Sequence, residues 1–149
     1  MMRRLLIVLG GILVLNACER APTHSIIPEP VQVEEGRGAF HLRPGTGIAL
    51  ADPSDTLLAR VAAVWALPYR ENAGLDLPLD PDGAVRLAVD SAASGVGSEG
   101  YRLDVTGEGV SVVGTDHAGV FYGLQTLSQL MPPGSETGDA STGEGVPVE

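Results

Sequence analysis

Residues Gly119–Met131 read GVFYGLQTLSQLM, and the reading of this stretch decides the fold. At helical spacing, Val120, Leu124, Leu127 and Met131 fall on one stripe, with Phe121 and Leu130 at its edges. An apolar stripe of that kind covers a core, here the face of a sheet. The opposite flank holds Tyr122, Gln125, Thr126 and Gln129, and no side of the helix carries a charge. A solvated helix face usually does, as the chain's other predicted helix does with Asp55, Arg60 and Glu71. Amides, a hydroxyl and a phenol suit a close, hydrogen-bonded contact; the alternative is a polar face left in water. Gly119 and Gly123 cost helix propensity, about 1 kcal/mol each against alanine. Packing is the reason expected for them, since they let a neighbouring backbone approach. The reading is a helix sandwiched between a sheet and a second partner. Tyr122, Gln125, Thr126 and Gln129 are the candidate interdomain interface residues.

Working outward, Tyr101–Thr106 and Val110–Gly114 alternate around Gly107-Glu108-Gly109 and predict a hairpin, with Leu103, Val105, Val110 and Val112 on one face. Ala84–Val89 and Gly47–Ala51 are further predicted strands. Val31–Glu34 and Ala39–Leu42 predict a second hairpin, turned at Gly36-Arg37-Gly38. The first helix is expected to start at Asp52-Pro53-Ser54-Asp55, with Asp52 capping and Pro53 in the first turn. Its expected apolar face is Leu57, Leu58, Val61, Ala62, Val64 and Trp65. Pro68 should end or kink it, and Gly74 is a final stop. The order strand, strand, strand, helix, three strands, helix predicts an α+β fold: a largely antiparallel β-sheet with two α-helices packed on one face.

The ends differ in composition from this middle. Met1–Arg4 is basic, Leu5–Leu15 is uncharged and apolar, and Asn16-Ala17 leads to Cys18, the one cysteine in 149 residues. That layout predicts a secretion signal over residues 1–17. Leu15-Asn16-Ala17-Cys18 resembles the bacterial lipobox, which makes Cys18 the candidate lipid attachment site; the alternative is ordinary cleavage after Ala17. Localisation is then the bacterial cell envelope, lipid-anchored at the periplasm or cell surface. Residues 18–25 are read as a tether. Loss of Arg3 and Arg4 with the signal would take the net charge from −10 to −12. Residues 133–149 are rich in Gly, Ser, Thr, Pro and acids and are read as a linker, turning apolar again at Val146-Pro147-Val148.

With 19 acids against 9 scattered arginines and no lysine, nucleic acid is not an expected partner, because phosphates demand clustered cations. Gly95–Gly100 spells G-x-G-x-x-G, but it precedes a strand, where no helix N-terminus waits for a pyrophosphate. Asp80-Pro81-Asp82-Gly83 lacks the later ligands of a calcium loop and reads as a turn. His24, His41 and His117 are too dispersed for a zinc site. No cofactor, metal or catalytic residue is expected.

Three segments carry a family resemblance: Ile26-Ile27-Pro28-Glu29-Pro30, Glu99-Gly100-Tyr101-Arg102-Leu103, and Gly119 through Leu130. Together they resemble the N-terminal accessory domain of bacterial β-N-acetylhexosaminidases of glycoside hydrolase family 20, over residues 26–132. The resemblance implies a sheet with two helices that packs against a (β/α)8 barrel. It implies exo-acting hydrolysis of terminal N-acetylhexosamine residues from oligosaccharides, by an Asp–Glu pair that works with the substrate's own acetamido oxygen. That pair belongs to the barrel, and the Asp-Glu dipeptide occurs nowhere in this sequence. As given, the chain is therefore expected to be inactive, a fragment ending before the barrel, with amino-sugar oligosaccharides reached only through that barrel. The alternatives are a stand-alone surface-anchored binding or scaffolding lipoprotein, and the accessory domain of another glycosidase family such as family 84.

Overall fold

The computed structural model describes residues 26–34, 36, 39–92, 97–137 and 146–148. Eight elements follow in order: β1 (Phe40–Leu42), β2 (Ile48–Leu50), α1 (Thr56–Ala73), β3 (Val85–Val89), β4 (Tyr101–Thr106), β5 (Gly109–Gly114), α2 (His117–Leu130) and β6 (Val146–Val148). Cys18, the proposed signal at 1–17 and the tether at 18–25 lie outside the described residues. No helix among the described residues is long and apolar enough to cross a membrane.

The α+β class is as expected, and the sheet is mixed. Its order is β2-β3-β5-β4. β4 and β5 form the expected hairpin, with Leu103 opposite Val112 and Val105 opposite Val110. The other two pairings, β2 with β3 and β3 with β5, are parallel. The reason is connectivity. α1 carries the chain back over the sheet between β2 and β3, and such a crossover returns a strand in the same direction. After β3 the chain runs to the far edge, lays down β4, and folds β5 back into the gap beside β3.

The second predicted hairpin does not form. β1 pairs antiparallel with β6 instead, Phe40 opposite Val148. Val31 is 95% exposed, so the valine alternation at 31–34 has no surface to bury against and stays out of any strand. The apolar return at Val146–Val148 is a strand, so the end of the expected linker belongs to the fold.

One core holds the layers together. Val85 and Leu87 of β3 and Val110 and Val112 of β5 face Val120, Leu124 and Leu127 of α2, and α1 adds Leu58, Ala62, Trp65 and Tyr69. Gly119 and Gly123 both turn towards the sheet. An added Cβ at Gly119 would collide with the Gly100 carbonyl, and at Gly123 it would lie 2.5 Å from Val112 Cγ1. The close approach expected of these glycines is real, and the neighbour is the sheet.

α1 begins three residues later than expected. Asp52 closes a local turn with Ser54, and Asp55 is the cap, accepting the main-chain N–H groups of Leu57 and Leu58 at 3.1 and 2.9 Å. The helix runs on through Pro68 to the left-handed Gly74, at φ 65°. The hydrogen bond that proline removes would have gone to the carbonyl of Val64, a residue on the exposed side of the helix. Asp116 caps α2, accepting from the N–H of Gly119 at 2.8 Å and of Glu99 at 3.1 Å. Its neighbour His117 reaches Asp55 Oδ2 at 2.8 Å, tying the two helix starts together.

These bonds shift the caps. The Leu58 N–H, then His117, hold the Asp55 carboxyl below the usual carboxylate range, and the Gly119 and Glu99 N–H groups do the same for Asp116. A carboxyl depressed in the folded state stabilises it fully above the unfolded value, about 4, and the contribution fades as pH falls through the folded value. The urea midpoint should therefore drop on acidification below about pH 4. In the double variant Asp55→Asn, Asp116→Asn that drop should shrink, because asparagine caps without titrating. An unchanged pH profile in the variant would contradict this assignment.

Candidate docking face of the helical layer

α1 and α2 lie side by side over the sheet, so each has one flank inward and one flank outward. On α1 the inward residues are Leu58, Ala62, Trp65 and Tyr69, at spacings of four, three and four. Leu57, Val64 and Leu67 point the other way and are 50, 56 and 40% exposed. The sequence reading placed Leu57 and Val64 in the buried face. The correction is geometric: at about 100° per residue that apolar set is wider than one contact can cover, and the surplus forms a second stripe facing out.

On α2 the four candidate interface residues separate. Tyr122 and Gln125 are exposed, with Phe121 edge-on to the Tyr122 ring at 5.7 Å. Thr126 is buried and turns inward, where its hydroxyl lies 2.6 Å from the Tyr101 hydroxyl of β4. It ties the helix to the sheet and offers nothing to an outside partner. Gln129 is exposed at its surface yet already engaged. Its Oε1 accepts the Ile27 N–H at 2.8 Å and its Nε2 donates to the Ile27 carbonyl at 3.0 Å. This reciprocal pair straps the extended N-terminal segment across the last turn of α2.

The outer flanks of the two helices thus expose Leu57, Val64 and Leu67 on α1, with Arg60 and Glu71 at the same helical spacing, and Tyr122 and Gln125 on α2. Apolar side chains with two charges on α1 and a neutral flank on α2 give the mixed make-up of a non-obligate interface. Among the described residues no three His, Cys, Asp or Glu side chains gather into a metal-binding group. The α1 stripe is the part sequence reasoning missed. The signal lay in the spacing of seven between Leu57 and Val64, out of step with Leu58, Ala62 and Trp65.

Residues 23–146 match the family described as "Glycosyl hydrolase family 20, domain 2". The chain belongs to glycosyl hydrolase family 20. It corresponds to that family's N-terminal accessory domain. Among its relatives, a beta-hexosaminidase of Porphyromonas gingivalis is 35% identical over 113 residues, which is 72% of this chain and 14% of that protein. A lacto-N-biosidase of Bifidobacterium bifidum is 30% identical over 113 residues, 72% of this chain and 10% of that protein. The solved N-acetyl-beta-hexosaminidase of Streptomyces plicatus superimposes with a TM-score of 0.71 at 34% identity, covering 83% of this chain and 24% of that one. The family 20 chain described here therefore spans about a quarter or less of the length of these relatives.

Proposed function

We propose that this family 20 domain is the non-catalytic accessory part of an exo-β-N-acetylhexosaminidase that removes terminal N-acetylhexosamine from oligosaccharides. In this reading the hydrolytic groups reside in a (β/α)8 barrel, and the domain docks on it through Leu57, Val64, Leu67, Tyr122 and Gln125. Thr126 and Gln129 support that face from beneath and from its end. Cys18 carries the lipid that holds the protein at the bacterial cell envelope. The observation that carries the reading is the family match over nearly the whole described chain, joined to an outer flank of α2 that carries no charge.

The domain's contribution to catalysis is mechanical. A hexosaminidase site needs its carboxyl groups held in one geometry, and a rigid module packed on the barrel supports that geometry at a distance. The test is hydrolysis of 4-nitrophenyl N-acetyl-β-D-glucosaminide. The 149-residue chain should release no 4-nitrophenol, and a longer protein that continues into the barrel should release it. Turnover by the chain alone would overturn the non-catalytic assignment, and a longer protein without hexosaminidase activity would overturn the substrate class.

A further inference from the structure

A row of four side chains lies at the junction of α1, α2 and the segment that leaves α2. The Trp65 Nε1–H donates to Ser128 Oγ at 3.0 Å. Ser128 Oγ lies 2.7 Å from the Tyr69 hydroxyl, and that hydroxyl lies 3.2 Å from Glu136 Oε1. Trp65 and Tyr69, their rings tilted at 54° with centroids 5.2 Å apart, are almost wholly buried, at 3 and 0% exposure. Burial raises the Tyr69 phenol above its ordinary range, so it stays protonated and serves as a donor.

Counting protons fixes the direction. An ionised Glu136 carboxylate only accepts, so it takes the Tyr69 proton. The 2.7 Å contact must then be made with the Ser128 proton, and Ser128 in turn accepts from the Trp65 indole. Ser128 Oγ also lies 3.2 Å from the Leu124 carbonyl, a longer contact than the 2.7 Å to Tyr69, so the Ser128 proton serves the shorter one. The row therefore runs Trp65 to Ser128 to Tyr69 to Glu136, each donor used once, and ends on a charged acceptor, the stronger kind of hydrogen bond.

Glu136 is the only member outside the helices. Around it the chain is wound into successive turns: Ser135 donates its N–H to the Pro132 carbonyl at 3.1 Å, and Thr137 to the Gly134 carbonyl at 3.0 Å. Ser135 is itself buried, at 3% exposure. A segment whose composition reads as free linker is thus fastened to the helical layer.

We propose that Tyr69 and Ser128 are positioning residues. With Trp65 and Glu136 they latch the first turns after α2 to both helices and so set the direction in which the chain leaves the docking face. The consequence for an attached barrel rests on the function proposed above; the latch itself does not.

Amide hydrogen exchange on the full chain tests it. Glu136→Gln, at an exposed position, replaces a charged acceptor with a neutral one. It should speed exchange at Ser135 and Thr137 about tenfold, and leave Leu87 and Val112 in the sheet at wild-type rates. Tyr69→Phe, which keeps the ring, should produce the same local change or a larger one. Two results would overturn the latch: wild-type rates at Ser135 and Thr137 in Glu136→Gln, or an equal acceleration at Leu87 and Val112, which is general loosening. Neither result bears on hexosaminidase activity, so the latch and the proposed function fail separately.

Discussion

Gly119→Ala is expected to destabilise the protein by about 1–3 kcal/mol, the usual cost of forcing a methyl into a filled space. Helix propensity alone argues for a gain of about 1 kcal/mol from the same change, so the sign of the result is the test. The added Cβ would run into the Gly100 carbonyl and lie 3.2 Å from the Gly114 Cα. Both are main-chain atoms, anchored by the β4–β5 hairpin, and neither can rotate away. The helix must lift off the sheet, loosening Val120, Leu124 and Leu127 at once. Gly123→Ala should cost less. Its Cβ would meet Val112 Cγ1 at 2.5 Å and Tyr101 Cδ2 at 3.2 Å, and side chains yield where backbone does not. Urea midpoints of the two variants should therefore rank wild type above Gly123→Ala above Gly119→Ala. A Gly119→Ala protein as stable as wild type would show that α2 does not sit as closely as described.

The parts of this fold that the sequence made legible are those governed by local periodicity. The α2 stripe, its Asp116 start and the β4–β5 hairpin depend on residues within one turn or one strand of each other. The parallel pairings do not. Ile48 opposite Val85 and Val85 opposite Val110 are chosen by the α1 crossover and by β5 filling a central gap, and no short window of sequence carries that choice. β1 found its partner in β6 at the far end of the chain, while the nearer valines at 31 and 33 went unused.

The candidate site divides along the same line. That Tyr122 and Gln125 face outward was readable because they lie opposite the apolar stripe of α2. Thr126 was misplaced because a hydroxyl suits a buried partner as well as water, and its partner Tyr101 lies 25 residues away. Ser128 drew no notice for the same reason, although it bridges both helices. Leu57 and Val64 were assigned inward because hydrophobicity reports a wish for burial and not the direction in which it is met.

That last point gives the strongest prediction for the docking face. In the chain described here, Val64 is 56% exposed, so Val64→Lys and Gln125→Lys should each change stability by no more than about 0.5 kcal/mol, as exposed substitutions do. In a longer protein whose barrel covers the face, the same lysines would be placed in an interface without a partner charge. An uncompensated buried charge costs on the order of 3–5 kcal/mol. The domain should then detach or the whole protein lose stability. Thermal midpoints and 4-nitrophenol release should fall for the double variant of the longer protein while the isolated chain is unaffected. Arg86, exposed on β3 between the core-facing Val85 and Leu87, supplies the control: Arg86→Ala alters charge on the sheet side away from the helices and should leave both proteins alike. If the longer protein instead carries both lysines with full stability and activity, water and not a barrel faces Val64 and Gln125, and the uncharged flank of α2 has some other cause.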